Sequence, residues 1–200
     1  MGRINILDAQ TSNLIAAGEV VERPSSAVKE MLENSIDAGA KNIILEIKDG
    51  GRTLVRVTDD GSGIMRDDVP KALLRHATSK IECGDDISGI KTLGFRGEAL
   101  AAISSVYRLD IITKSREETL GTHLTADENG IVMVDTGCPD GTTVIMRDLF
   151  YNTPARQKFL KRDGTEGGSC VAAAEKVALS HPEISFTVIS DGQRKFMTNG

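Results

Sequence analysis

Apolar positions recur along this chain with two different periods. Between Pro24 and Gly39, Val28, Met31, Leu32, Ser35 and Ile36 fall at i, i+3, i+4, i+7 and i+8, the spacing of a helix that buries one face. Pro24 suits the first turn, where its missing N–H would be unpaired anyway. Gly39 stands where a left-handed C-terminal cap is wanted. A short helix is read over 11–17, closed by Gly18, and others over 66–75, 98–103, 154–162 and 169–180. Elsewhere the period is two. Ile43, Leu45 and Ile47 alternate along one strand, Asp49-Gly50-Gly51 makes a turn, and Leu54 to Thr58 return. Alternating runs at 108–114, 121–126, 131–134 and 142–147 predict further strands, and a last hairpin pairs 184–190 with 194–198 across Asp191-Gly192. Hairpins grouped with helices favour an α+β layered sandwich over a parallel, doubly wound sheet.

One stretch has no strong period. Residues 77–97 carry Gly84, Gly89, Gly94 and Gly97, and a loop that long inside a compact domain is more often a functional lid than filler. No linker, repeat or low-complexity tract interrupts the chain. Its last residues follow directly on a strand, as expected of one domain cut from a longer protein.

Composition narrows the classes. Two hundred residues suit one globular domain. With 24 Lys and Arg against 29 Asp and Glu, the net charge is −5, which argues against a strongly basic DNA-reading module. No apolar run approaches the roughly 18 residues of a membrane span, and MGRINILDAQ lacks the order of a signal peptide. Cys83, Cys138 and Cys170 are odd in number and far apart, pointing to a reducing cytoplasm rather than a disulfide framework. Five Phe, two Tyr and no Trp leave little material for base-stacking platforms.

Several familiar signatures fail on inspection. Gly84 to Thr92 nearly spells a phosphate-binding P-loop, but Ile90 separates Gly89 from Lys91 and no buried strand leads in. Gly61-Ser62-Gly63 opens a dinucleotide fingerprint whose third glycine is replaced by Arg66. His76, His123 and His181 lack ligand spacing, and no G-x-S-x-G elbow is present.

Three elements hold together better. Glu30 and Asn34 are i,i+4 neighbours on a helix face turned away from the apolar stripe. A carboxylate beside a neutral amide suits general-base work and a hard cation such as Mg²⁺. The same residues also fit the solvated side of an amphipathic helix, and taken alone that reading is favoured. Period two places Asp59 on the strand face of Val55 and Val57, so its carboxylate points inward at a strand end and must meet a donor. An adenine amine is one such donor, and an internal backbone or Lys partner is the alternative. Gly61 and Gly63 let the chain turn tightly beside a flat ligand, although an ordinary turn uses the same letters. Finally, Gly94-Phe95-Arg96-Gly97 runs into the helix that begins near Glu98, and helix N-termini bind phosphate oxygens.

Taken together, these residues make the chain resemble the N-terminal ATPase domain of the MutL mismatch-repair family, within the GHKL (Bergerat-fold) superfamily. The matching stretches are IAAGEVVERP (15–24), VKEMLENSIDAG (28–39), DDGSGI (59–64), HATSK (76–80), GFRGEAL (94–100) and DLFYNTPAR (148–156). The E-x-x-x-N and D-x-G-x-G pair is shared across the superfamily, whereas GFRGEAL and LFYNTPAR are much more particular to MutL relatives. The fold implied is a two-layer α/β sandwich with a mixed, largely antiparallel sheet and helices on one face.

The resemblance also assigns roles. Glu30 matches the general base that activates the attacking water, and Asn34 the Mg²⁺ ligand, with phosphates and water completing the ion's shell. Asp59 matches the acceptor of the adenine amine, helped by Thr142, with Gly61 and Gly63 at the base. Thr78, Ser79 and Lys80, with Gly94, Phe95, Arg96, Gly97, Glu98, Ala99 and Leu100, match the lid over the triphosphate. ATP and Mg²⁺ are thus the implied cofactors, and residues 1–200 the N-terminal domain, with transducer and dimerisation domains beyond Gly200. The transducer supplies a further lysine, so the fragment alone is expected to bind ATP and hydrolyse it poorly. In such a clamp, ATP drives homodimerisation. Its partners are a MutS-type mismatch sensor, a downstream nuclease or helicase, and DNA held weakly and without sequence preference. The expected setting is a bacterial-type cytoplasm, at the nucleoid during repair, with no membrane. Asp60 departs from the Asn that many relatives carry, and Gly164, Gly167 and Gly168 loosen the run before the helix read at 169–180.

Two other readings remain open at this level. One is another GHKL enzyme, such as a gyrase-type topoisomerase subunit or a histidine kinase. A kinase would need a phospho-accepting histidine region, and nothing around His76, His123 or His181 resembles one. The other is a non-enzymatic adenine-nucleotide-binding domain, which would not need Glu30 beside a cation ligand. Nine of the twenty glycines lie between Gly39 and Gly97, where cap, hairpin, adenine turn and lid succeed one another.

Overall fold

The computed structural model describes residues 20–75 and 98–200, with Gly18 and Ala77 besides. Eight strands form a single sheet: β1 (Asn42–Lys48), β2 (Leu54–Asp59), β3 (Arg108–Lys114), β4 (Gly121–Asp127), β5 (Gly130–Thr136), β6 (Gly141–Arg147), β7 (Ser185–Ser190) and β8 (Gln193–Met197). Their spatial order is β5-β4-β3-β6-β2-β1-β7-β8. Every neighbouring pair is antiparallel except β1 with β7. The helices are α1 (Pro24–Asp37), α2 (Ala99–Ser104), α3 (Pro154–Gln157) and α4 (Asp163–Ser180). The expected α+β sandwich with a mixed, largely antiparallel sheet is what forms.

Alternation along the strands sorts the two faces. On the helix-facing side, Ile47, Val55, Met146, Leu109 and Ala126 stand opposite one another across five strands. Leu45, Val57, Val144, Ile111 and Leu124 make the next row. All ten are buried. Burying each large aliphatic side chain contributes roughly 1.5–3 kcal/mol, which is why this face fixes the register. The stripe of α1 closes over it with Val28, Met31 and Leu32, all but inaccessible. Helix α1 ends as its sequence predicts, with Gly39 at φ +74 and the Ala40 N–H returning to Ser35 O.

Three expected helices differ. Residues 66–75 form successive turns and a short 3₁₀ segment, Lys71–Leu73, because Pro70 offers no N–H and disfavours helical backbone before it. The helix read over 154–162 closes after Gln157, where i→i+3 bonds such as Leu160 N–H to Gln157 O replace the longer ladder. The last helix begins at Asp163 rather than at residue 169. Its start is secured by Glu166, whose carboxylate accepts the Lys161 N–H at 2.8 Å and pairs with Arg23 at 2.7 Å. Gly164, Gly167 and Gly168 thus lie inside α4. Gly167 faces the Asp49–Gly51 turn after β1, where an added Cβ would sit 3.5 Å from Gly50 Cα. That is an ordinary contact; the close approach is on the turn's side, where a Cβ on Gly50 would lie 2.5 Å from Asp163 O. The helix read at 11–17 and almost all of the 77–97 segment fall outside the described residues.

Candidate functional site

Successive rows on the helix-facing side are apolar until the sheet reaches its rim. There, Asp59, Thr142, Thr113 and Thr122 stand opposite one another on β2, β6, β3 and β4. A polar row at the end of two apolar rows is where a ligand can meet hydrogen-bonding groups against a dry floor.

Asp59 is the charged member. Its Oδ2 accepts the Ser35 hydroxyl of α1 at 2.7 Å, and its Oδ1 accepts the Gly61 N–H at 2.9 Å. Burial pushes the Asp59 carboxyl above its ordinary value; Ser35, Gly61 and the Thr142 backbone pull it back, and Asp60 adds a further upward push. A carboxylate has about four lone-pair sites, so these internal donors leave acceptor capacity for a ligand. Asp59 therefore points inward as expected and meets the internal partners of the alternative reading, a backbone N–H and a hydroxyl rather than a Lys.

The Ser35 bond also ties the two motif-bearing elements together. Ser35 adjoins Asn34, and Glu30 lies one turn earlier on α1. Glu30 and Asn34 are each partly exposed, off the stripe formed by Val28, Met31 and Leu32. Both thus open from the same helix that grips Asp59.

The turn after β2 approaches its neighbours too closely for side chains. Gly63 has φ +71, and a Cβ there would lie 2.0 Å from Lys114 O. Gly141, at φ +109, would bring a Cβ to 2.1 Å from Asp59 O. Asp60 turns the other way, accepting the Asn42 side chain at 2.7 Å and the N–H groups of Lys41 and Asn42 at 2.7 and 2.9 Å. Burial pushes the Asp60 carboxyl up, but those bonds, led by Asn42, outweigh it and hold the group below its ordinary value. An acidic residue at 60 is thus accounted for by its grip on the start of β1.

A profile for histidine kinase-, DNA gyrase B- and HSP90-like ATPases matches residues 22–136, more than half of the chain. The chain belongs to that ATPase family. Within it, the sequence is 52% identical over its whole length to the DNA mismatch repair protein MutL of Agathobacter rectalis. It is 50% identical, again over its whole length, to the MutL of Caldanaerobacter subterraneus subsp. tengcongensis. It spans about a third of each, 31% and 34%. Among solved structures, the MutL ATPase domain of Aquifex aeolicus complexed with ADP matches with a TM-score of 0.75 and 33% identity, over 90% of this chain and 65% of that one. The N-terminal domain of a DNA repair protein matches at 0.78 and 30%, over 94% and 56%. This ATPase chain is therefore of the MutL type, and the gyrase-type alternative is not favoured.

Of the expected site residues, the fold brings Asp59, Gly61, Gly63 and Thr142 to one rim and Glu30 and Asn34 to the adjoining helix. Glu98 precedes α2 and pairs with Arg75 at 3.9 Å, while Ala99 and Leu100 pack partly buried against the core. Thr78, Ser79, Lys80, Gly94, Phe95, Arg96 and Gly97 lie outside the described residues. Sequence reasoning missed Ser35, which reads as one more core-facing position of α1, and Thr113, whose neighbours across the sheet are invisible in a linear pattern. Among the described residues, no helix is long and apolar enough to cross a membrane.

Proposed function

We propose that this chain is the Mg²⁺-dependent, slowly turning-over ATPase domain of a MutL-type mismatch-repair clamp. The observation that carries the site assignment is the Ser35–Asp59 bond at 2.7 Å, which joins the helix bearing Glu30 and Asn34 to the strand end bearing Asp59. Asp59 and Thr142 receive the adenine edge, with Gly61 and Gly63 giving the flat base a close approach. Glu30 takes the proton from the water that attacks the γ-phosphate. The residues suit the metal, since Asn34 offers a hard amide oxygen one helical turn from the Glu30 carboxylate, with phosphates and water left to complete the ion's shell. Asn34 holds Mg²⁺, which when bound offsets phosphate charge. Thr78, Ser79, Lys80 and the run Gly94–Leu100 join the site on the strength of the family resemblance.

The whole protein, on this reading, is an ATP-gated homodimer that answers a MutS-type mismatch sensor, holds DNA weakly and licenses a downstream nuclease or helicase. Its work lies at the nucleoid in the cytoplasm, and the 200 residues are one N-terminal domain of it. Glu30→Ala tests the chemistry. Turnover should be abolished while a non-hydrolysable ATP analogue still binds, and undiminished turnover would remove Glu30 from the general-base role.

A further inference from the structure

We propose that Thr113 is a positioning residue that sets the hydrogen-bond polarity of the base-binding edge and thereby its preference for a 6-amino over a 6-oxo purine. The inference rests on the assignment of Asp59 and Thr142 to the base. Thr113 lies on β3 with only 1% of its surface exposed, directly opposite Thr142 of β6. Its hydroxyl oxygen accepts the Ile64 N–H at 2.9 Å and donates to Gly141 O at 3.0 Å. The Thr142 hydroxyl lies 3.0 Å away.

A hydroxyl has one proton and two acceptor lone pairs. On this assignment the single proton of Thr113 goes to Gly141 O, which can only accept, and Thr142, able to donate or accept, donates to Thr113. The Thr142 oxygen then faces outward with lone pairs alone. Beside it stands Asp59, its cross-strand neighbour and likewise an acceptor. Two acceptors side by side suit the two N–H donors of an adenine amine and repel the carbonyl oxygen of hypoxanthine or guanine. Thr113 also fixes the turn through Ile64, which holds Gly63 and Gly61 at the same edge. It touches no ligand and acts through Thr142 and Ile64.

The test uses the full-length protein, with ATP and ITP compared because inosine replaces the 6-amine of adenosine by an oxo group and, with it, the N1 acceptor by an N1–H donor. In Thr113→Val the Thr142 hydroxyl is released to rotate and donate. ATP affinity should fall about tenfold, ITP affinity should hold or rise, and kcat at saturating ATP should stay within about twofold. Thr113→Ser, which keeps the hydroxyl, should restore the ATP:ITP ratio. If Thr113→Val does not fold, Thr113→Ala set against Thr113→Ser reads the same hydroxyl. Equal losses for both nucleotides, or an unchanged ratio, overturn the proposal. Asp59→Asn separates the two levels. If Asp59→Asn lowers the ratio and Thr113→Val does not, Thr113 has no such role and the base-site reading stands. If Asp59→Asn also leaves it unchanged, the base-site reading itself fails.

Discussion

Replacing Asp59 by Asn removes one charge and almost no volume, and its hydrogen-bond partners dictate how the amide sits. The Gly61 N–H, 2.9 Å from Oδ1, cannot turn, so the amide oxygen must take that place. The amide nitrogen then faces Ser35 Oγ, which lies 2.7 Å from Oδ2 and can reverse from donor to acceptor. The bonds to Gly61 and Ser35 survive in some form, and the buried charge is gone. Stability should therefore hold within about 1 kcal/mol or rise slightly. The ligand fares differently. An adenine amine loses a charged acceptor, and hydrogen bonds to charged groups contribute about 1.5–3 kcal/mol, corresponding to a roughly 10- to 150-fold weaker Kd. Calorimetric titration of the full-length protein with Mg²⁺ and a non-hydrolysable ATP analogue reads the affinity, and thermal melting reads the fold. Affinity within twofold of wild type, with an unchanged melt, would mean that Ser35 and Gly61 are the carboxylate's whole purpose.

The same geometry sets three other outcomes. Burial holds the Asp59 pKa above its unfolded value, so the folded chain binds that proton more tightly. The group therefore favours the fold at acid pH, and the gain disappears as pH rises through the raised value. Nucleotide binding runs the opposite way. Affinity should fall as pH drops through that value, and the slope should flatten in Asp59→Asn; a slope identical in both proteins contradicts the assignment. Gly63→Ala should destabilise by at least about 1–3 kcal/mol in urea melts, since φ +71 is strained for Ala and its Cβ would press on Lys114 O. A neutral effect would mean the turn can move aside. Arg23→Ala leaves Glu166 charged with its side chain only 3% exposed. Its cost should be about 3 kcal/mol, near the low end for a broken buried pair because Arg23 is itself 34% exposed. A loss below about 1 kcal/mol would show that water reaches Glu166.

The local periods of the sequence determined most of the elements. The amphipathic stripe of α1, its Gly39 cap, the hairpins around Asp49–Gly51 and Asp191-Gly192, and the central strands are all local regularities, each set by side chains within a few positions. Where sequence reasoning failed, the deciding term was also nearby but weighed differently. Pro70 breaks the pattern over 66–75. Glu166 secures the start of α4 despite three glycines that read as loose coil; of these only Gly167 meets the Asp49–Gly51 turn, while Gly164 and Gly168 face open space and have no structural explanation.

The site divides along the same line. Glu30, Asn34, Asp59, Gly61 and Gly63 are legible because their spacing repeats a motif. The order of strands in the sheet is not legible, since hydrogen bonds between β3, β6 and β2 link residues far apart in the chain and leave no period behind. Only that order sets Asp59, Thr142 and Thr113 side by side, and only the packing of α1 on β2 turns Ser35 from a core position into the donor that holds Asp59. Local chemistry can name the groups that carry charge. Long-range register decides which of them meet, because a buried polar atom is satisfied by whatever the fold places against it.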